Sequence, residues 1–417
     1  MSHKGFIQVF EYQKLRIGES GFEKNHFDAM VKFNERNDNK YFKPIFNGVQ
    51  FNSYVGVIQI GGLTLEILPK VDKDDSYSNV QKDKWQKVLL KMLEVCKHIQ
   101  VDSVSETNLK KRHSSILEVY YEMYLNELTH LVKRGLIKKY RKIQSNQMAL
   151  KGKLVFAQNI NKNSVHKERF YCEHQIYDKD HLIHQILFKG LNILNDLTKS
   201  HLSDKINNLL FEFENINQIN INANHFKQVR LNRKSHEYLK ALNIAKMLIL
   251  NYSPNINSGN ENMLTLLFDM NKLWEEYIYR ILNKHKPEGY EVNFQNSDKF
   301  WEHKTIRPDI IITNTTNDEA FVIDTKWKIV DSNNPSDDDL KQMFTYNLHW
   351  SSTKSMLLYP QVEQSDSDFG KYTYIHNGQK DNQCKLGFLN VFKDNVVKKG
   401  GILSEEIFKK LEENEIV

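Results

Sequence analysis

Cysteine is nearly absent from this sequence. Cys96, Cys172 and Cys384 lie far apart and no Cys-x-x-Cys spacing occurs, which argues against a zinc site or a disulfide framework and leaves three small buried apolar side chains in a reducing cytoplasm. No apolar run approaches the roughly 18–20 residues of a membrane-spanning helix. The opening Met1-Ser-His-Lys-Gly-Phe6 lacks the apolar core of a signal peptide. The expected setting is cytoplasmic, with no membrane. No repeat of fixed period stands out. Excess charge of one sign is small as well: 58 Lys and Arg face 52 Asp and Glu, a formal +6, which favours a polyanionic partner without requiring one.

What is present is enough apolar residue, 40% of 417, for more than one core, so two or three domains are expected. The pattern predicts a multidomain α/β chain. Residues 1–75 read as a β-rich N-terminal domain: Phe6–Phe10 is a short strand, and Val55–Ile60, Gly61-Gly62 and Leu63–Leu68 form a hairpin closed by Pro69. Asp72–Ser76 reads as a linker. Residues 76–260 form a helix-rich middle region. Trp85, Val88, Leu89, Met92, Leu93 and Cys96 fall at helical spacing, as do Ile116, Val119, Tyr120, Met123, Tyr124, Leu128 and Leu131 up to Gly135. A short strand is expected over 150–156, with helices near 180–197 and 233–251. Lys110-Lys111-Arg112 and the group Lys133, Arg134, Lys138, Lys139, Arg141 and Lys142 bracket one long helix. They read either as a DNA-contacting stripe or as ordinary solvated helix ends. Residues 261–417 form a C-terminal α/β domain, with a helix from Leu266 to about Lys284, strands at 290–295, 305–313, 320–329 and 355–359, and a helix between Asp338 and Trp350.

The chemistry-bearing residues cluster in that last region. Clustered carboxylates holding Mg²⁺ can neutralise charge at phosphorus and activate water, and a nearby lysine can polarise the water or stabilise the transition state. The segment from Arg307-Pro308-Asp309 to Ile323-Asp324-Thr325-Lys326 supplies these residue types. If its turn centres between Thr316 and Asn317, Asp309 lies opposite Asp324, with Cβ atoms about 5 Å apart. Asp324 and Lys326, two apart on one strand, share a face. Asp-x-Lys alone is usually an unremarked surface pair. Here the aspartate ends the apolar run Phe321-Val322-Ile323, where an unbalanced carboxylate is costly. Upstream, Glu275 or Glu276 can reach the same metal from the preceding helix. Downstream, Gln342 and Tyr346 are four apart, on one helical face.

Taken in order, these residues resemble the McrC family, the nuclease subunit of McrBC-type 5-methylcytosine restriction systems within the PD-(D/E)xK superfamily. The resemblance is carried by Leu267–Tyr277, Arg307-Pro308-Asp309, Ile323–Lys328, Gln342–Tyr346 and Leu357–Pro360, and it extends to the hairpin at Val57–Lys70 and to Leu150–Lys153 and Phe170–Cys172. It implies a restriction-endonuclease-like C-terminal domain cutting double-stranded, methylated DNA with Mg²⁺, or Mn²⁺, in complex with an McrB-like AAA+ GTPase hexamer. The N-terminal region would dock into that motor and stimulate it. It further implies metal binding by Asp309, Asp324 and Glu275, a catalytic Lys326, and supporting roles for Gln342 and Tyr346. No Gly-x-x-x-x-Gly-Lys-Ser/Thr motif occurs, as suits a subunit that borrows its motor. A non-catalytic activator of an AAA+ motor and a stand-alone repair nuclease of the same fold are the alternatives.

Overall fold

The computed structural model describes residues 5–70, 79–99, 115–198, 202–253, 262–328, 330, 334–360, 365–373, 382–393 and 396–412. The basic cluster at 110–112 and the linker at 72–76 lie outside them. The chain divides into two compact units. One combines 1–59, 63–101 and 267–417; the other holds 60–62 and 102–266. This differs from a serial order of three domains, because the N-terminal β region and the C-terminal α/β region share one unit.

The chain opens with β1 (Phe6–Phe10) and β2 (Lys14–Arg16), passes through α1 (Lys24–Glu35), and returns in β3 (Phe42–Ile45), β4 (Gly48–Phe51), β5 (Tyr54–Ile60) and β6 (Leu63–Leu68). β5 and β6 are bonded neighbours joined across the expected Gly61-Gly62 turn, where Gly61 takes a left-handed conformation, φ +53°. β1 pairs in parallel with β6, Phe6 opposite Thr64. β2, β4 and β3 form a separate small sheet. α2 (Asn79–Val95) follows, burying Trp85, Val88, Leu89, Met92 and Leu93 as its period requires.

In the second unit α3 (Ile116–Lys133) starts at Ser115, whose hydroxyl accepts from Glu118 N. Of the basic group, Lys133 and Arg134 do end this helix, but Lys139, Arg141 and Lys142 do not. Lys139–Gln147 is β7, paired antiparallel along its full length with β9 (Phe170–Asp178), and Arg141 bonds Asp178 and Asp180 at 3.0 and 3.1 Å. The strand expected over 150–156 shrinks to β8 (Lys153–Leu154), since Gly152 turns left-handed against Glu173 and Phe156 already begins α4 (Phe156–Asn163). The unit continues through α5 (Leu182–Leu197), α6 (Ser203–Glu212), α7 (Ala223–Gln228) and α8 (Leu239–Leu250), and β10 (Tyr252–Ser253) pairs antiparallel with β11 (Met263–Asp269). A Cβ on Gly190 in α5 would stand 2.6 Å from the hydroxyl of buried Tyr124, which donates to Leu187 O. Gly190→Ala is therefore expected to cost about 1–3 kcal/mol in urea unfolding, and a Tyr124→Phe background should recover part of that loss.

Back in the first unit come α9 (Met270–His285), β12 (Tyr290–Phe294), β13 (Asp298–Trp301), β14 (Lys304–Ile306), β15 (Ile310–Asn314), β16 (Glu319–Thr325), α10 (Asp337–His349), β17 (Lys354–Pro360), β18 (Gly370–Lys371) and β19 (Gln383–Leu389). After β20 (Phe392–Lys393) and β21 (Val396–Val397) the described chain ends in α11 (Gly400–Glu412). Six strands form one sheet in the order β12-β15-β16-β17-β19-β18. β12, β15 and β16 are antiparallel; β17 joins β16 in parallel, and β19 joins β17 in parallel. The parallel step demands a crossover, and α10 supplies it, packing Met343 and Tyr346 into a cluster with Val322, Leu357, Tyr359 and Phe388. Cys96, Cys172 and Cys384 are all buried and unbridged.

Candidate active site

The strand expected over 305–313 is broken in the structure. Pro308 cannot donate to a ladder, so β14 ends at Ile306 and β15 begins at Ile310. Ile310 then faces Ile323 and Asn314 faces Glu319. That register centres the turn between Thr316 and Asn317 and sets Asp309 and Asp324 across from one another, one step beyond the last pair. Asn314 and Asn317 hold the turn, their side-chain oxygens accepting from Thr316 N and Glu319 N at 2.9 and 3.0 Å.

Asp309 is fixed by Thr325, whose amide and hydroxyl donate to its Oδ2 at 2.7 and 3.0 Å. Asp324 is only 2% exposed, and the Lys326 Nζ stands 2.7 Å from its Oδ2. That contact is an ion pair without hydrogen-bond alignment, so the buried Oδ2 has no aligned donor among the described residues. Lys326 lies past the end of β16 but its amide still donates to Leu358 O, which keeps its side chain on the Asp324 face.

Burial, then the charge of Glu275, pushes Asp309 up to about 6. Burial, then Asp309, pushes Asp324 up to about 7. Burial works against the Lys326 ammonium, but Asp324, Asp339 and Asp309 outweigh it and its pKa is raised. Two adjacent, poorly hydrated carboxylates ionise together only when a cation sits with them.

The choice between the two glutamates resolves. Glu276 turns to Arg280, 2.6 Å away, with His98 at 3.5 Å. Glu275 accepts from Gln295 at 2.5 Å, and its charge bears on Asp309. Gln342 and Tyr346 also converge on the site. Gln342 Oε1 accepts from Lys326 at 3.3 Å, its amide donates to the Tyr346 hydroxyl at 2.7 Å, and that hydroxyl donates to Arg307 O at 2.9 Å.

Two groups were not singled out from sequence. Asp339 stands 3.5 Å from Lys326 and 2.6 Å from Lys328; the pattern Ser336-Asp337-Asp338-Asp339 signalled it, since Ser336 caps α10 by accepting from Asp339 N. The other is Glu11, whose Oε1 accepts from Trp327 Nε1 at 2.7 Å and from Lys70 N at 2.9 Å. Burial pushes Glu11 up to about 7. The Trp327 ring packs edge-on to Trp85 and Trp274, at 6.4 and 5.3 Å. No local sequence signal links Glu11 with a residue 316 positions away.

Among the described residues no three His, Cys, Asp or Glu groups form a finished metal cage. The donors available are oxygens: Asp309 and Asp324 side by side, with Glu275 near Asp309. Mg²⁺ takes such a set, using one or two carboxylates and completing its shell with water and substrate phosphate. The buried, unaligned Oδ2 of Asp324 is the atom such an ion would satisfy. The residues fit an oxygen-liganded divalent cation.

Residues 49–360 match the family described as McrBC 5-methylcytosine restriction system component. No curated protein matches the sequence. A chain in the refined half-complex from the tetradecameric assembly of Thermococcus gammatolerans McrB AAA+ hexamers with bound McrC shares the fold, with TM-score 0.71 and 20% identity, covering 97% of this chain and 100% of that one. A chain in the cryo-EM structure of the Thermococcus gammatolerans McrBC complex aligns with TM-score 0.50 and 21% identity over 68% of this chain and 88% of that one. No helix among the described residues is long and apolar enough to cross a membrane.

Proposed function

Because the chain belongs to the McrBC 5-methylcytosine restriction system component family, we propose that it is the nuclease subunit of such a system, a Mg²⁺-dependent endonuclease of the PD-(D/E)xK type that cuts methylated double-stranded DNA in complex with an McrB-like AAA+ GTPase hexamer. The observation that carries this reading is half-buried Asp309 standing opposite buried Asp324, one step beyond the last pair of β15 and β16, with Lys326 2.7 Å from Asp324. The assembly of a similarly folded chain with McrB AAA+ hexamers supports the partner. The N-terminal β2-β4-β3 sheet offers a docking element: Phe46, between β3 and β4, is 97% exposed.

Asp309 and Asp324 would hold Mg²⁺, with Glu275 beside them, and the ion would supply charge neutralisation at phosphorus and a more acidic water. Lys326 remains an ammonium, since neighbouring carboxylates hold its pKa up. It therefore stabilises negative charge on the phosphate and does not abstract a proton. Gln342 holds the ammonium in place, and Tyr346 in turn fixes Gln342 to the Arg307 carbonyl. Glu275 is steered by Gln295. Trp327, the residue after Lys326, is anchored on Glu11.

The test is plasmid cleavage with Mg²⁺ on methylated and unmethylated DNA, with and without the AAA+ GTPase and GTP. Cutting that needs partner, GTP and Asp324 is expected. Cutting by this chain alone would replace the reading with an independent nuclease; stimulated GTPase without any cutting would leave an activator. Tyr346→Phe keeps the buried ring but releases Gln342, and Gln342→Ala removes one of the groups that position Lys326. Each is expected to lower the single-turnover cleavage rate about 10-fold or more, with the Mg²⁺ concentration for half-maximal rate unchanged.

A further inference from the structure

β13 and β14 form a two-stranded ribbon of their own, outside the six-stranded sheet. All four residues of β13 are exposed, among them Phe300 at 57% and Trp301 at 62%. A bulge between Lys299 and Trp301 releases Phe300 from the ladder, and Trp301 pairs with Lys304. The ribbon is not loosely attached: Asp298 at its base bonds His349 of α10 at 3.1 Å. Two large aromatic rings, neighbours in sequence and each more than half exposed, form a patch that a partner would cover.

The cleft beside the ribbon says which. Its volume is about 670 Å³, and it is lined by Phe300 and Thr305, by Gln342 and Tyr346 of α10, and by Arg307. Gln342 also touches Lys326, so the cleft adjoins the candidate active site. Exposed Arg307 lines it, and Lys299 and Lys304 are exposed on the ribbon itself. Cations in the cleft and on the ribbon suit phosphates, while exposed rings suit base faces or wedging between base steps. A two-stranded ribbon is also narrow enough to enter a DNA groove.

We propose that the β13–β14 ribbon is a DNA-contacting arm that places Phe300 and Trp301 against the bases beside the scissile phosphate, while Lys299, Lys304 and Arg307 hold the backbone. The proposal rests on the nuclease reading above for the location of that phosphate. It makes the arm a reader of unstacking: a locally opened base step gives the rings a face to cover, and a perfectly stacked one does not.

The experiment measures binding of labelled DNA by the full chain carrying Asp324→Asn, which keeps DNA intact, using a paired duplex and the same duplex with one central unpaired base. The parent is expected to prefer the opened duplex. Adding Phe300→Ala and Trp301→Ala is expected to weaken binding to it about 10- to 100-fold, with little change in salt dependence. Adding Lys299→Gln and Lys304→Gln instead should weaken both duplexes alike and flatten the salt dependence. Phe300→Tyr with Trp301→Tyr should restore the preference, and unfolding temperatures should stay level because both rings are exposed. Equal binding by parent and aromatic variant would overturn the arm. So would absence of DNA binding by the parent, or a variant that loses the AAA+ partner and keeps DNA. Cleavage by the Asp324→Asn chain would remove the nuclease assignment and leave the binding result standing by itself.

Discussion

Asp324→Asn is expected to lower DNA cleavage by at least about 1,000-fold and, at the same time, to raise the stability of the metal-free protein at pH 8. Both effects have one origin. Asp324 is pushed up to about 7 by burial and by Asp309, above its value of about 3.9 in an unfolded chain. Between those two pH values the folded state binds more protons than the unfolded state. Stability from this group is therefore full below about pH 4 and falls as pH rises through 7. An asparagine cannot ionise and escapes the penalty. It also leaves Lys326 with weaker company, Asp339 at 3.5 Å and Gln342 at 3.3 Å, so the net gain at pH 8 is put at about 1–2 kcal/mol. Urea titrations at pH 5 and pH 8 measure it, and the two proteins should converge at the lower pH. Added Mg²⁺ should raise the unfolding temperature of the wild type and not of the variant, because only the wild type presents both carboxylates. Equal Mg²⁺ shifts in the two proteins would count against Asp324 as a ligand.

Glu11→Gln should reproduce the stability effect and not the loss of activity. Glu11 is buried and pushed up to about 7 from a usual 4.5. The sign is the same: stability from this group is fully present below about pH 4.5 and declines as pH climbs through 7. Glutamine keeps an oxygen for Trp327 Nε1 and Lys70 N, which Glu11 Oε1 accepts at 2.7 and 2.9 Å, and removes the charge. A gain on the order of 2 kcal/mol at pH 8, vanishing near pH 5, is expected by urea unfolding, with cleavage at the wild-type level. Glu11→Ala removes the acceptor and leaves the indole N–H buried without a partner. It should cost about 2–3 kcal/mol at pH 5 and loosen the residue next to Lys326, lowering cleavage severalfold. If alanine and glutamine behaved alike, the hydrogen bond to Trp327 would be of no consequence.

How much of this was readable beforehand divides along physical lines. The turn residues Thr316 and Asn317 sit between two apolar runs, so local chemistry alone set the β15–β16 register and placed Asp309 opposite Asp324. The face of α9, with Met270, Trp274, Tyr277, Ile278 and Ile281 buried, followed its 3.6-residue period, whereas Leu266 and Leu267, expected to start that helix, lie in β11. The ribbon β13–β14 escaped because neither strand buries a face, so no apolar alternation marks it. β7 was hidden for a related reason: Lys139–Gln147 holds few apolar residues, and its basic side chains resembled the end of the preceding helix. Which glutamate faces Asp309 depends on where Arg280 lies one turn on, drawing Glu276 away. The parallel pairing of β1 with β6, and the hydrogen bond between Glu11 and Trp327, join residues far apart in sequence; nothing within a short window encodes them.

The first unit's two-part composition has a consequence for how the protein is made. Its opening segment, residues 1–59 and 63–101, leaves the ribosome about 165 residues before its remaining portion begins at Leu267. At about 5–20 residues per second that is a wait of roughly ten to thirty seconds. During it Trp85 and Glu11 lack Trp327, their partner in the finished fold, and the apolar face of α2 stands open to chaperones and to neighbouring nascent chains. The second unit can fold in that interval; the candidate active site cannot, since the sheet carrying Asp309 and Asp324 emerges last. Synthesis slowed between residues 102 and 266 should therefore lower the soluble yield of this protein more than the same delay placed near its beginning.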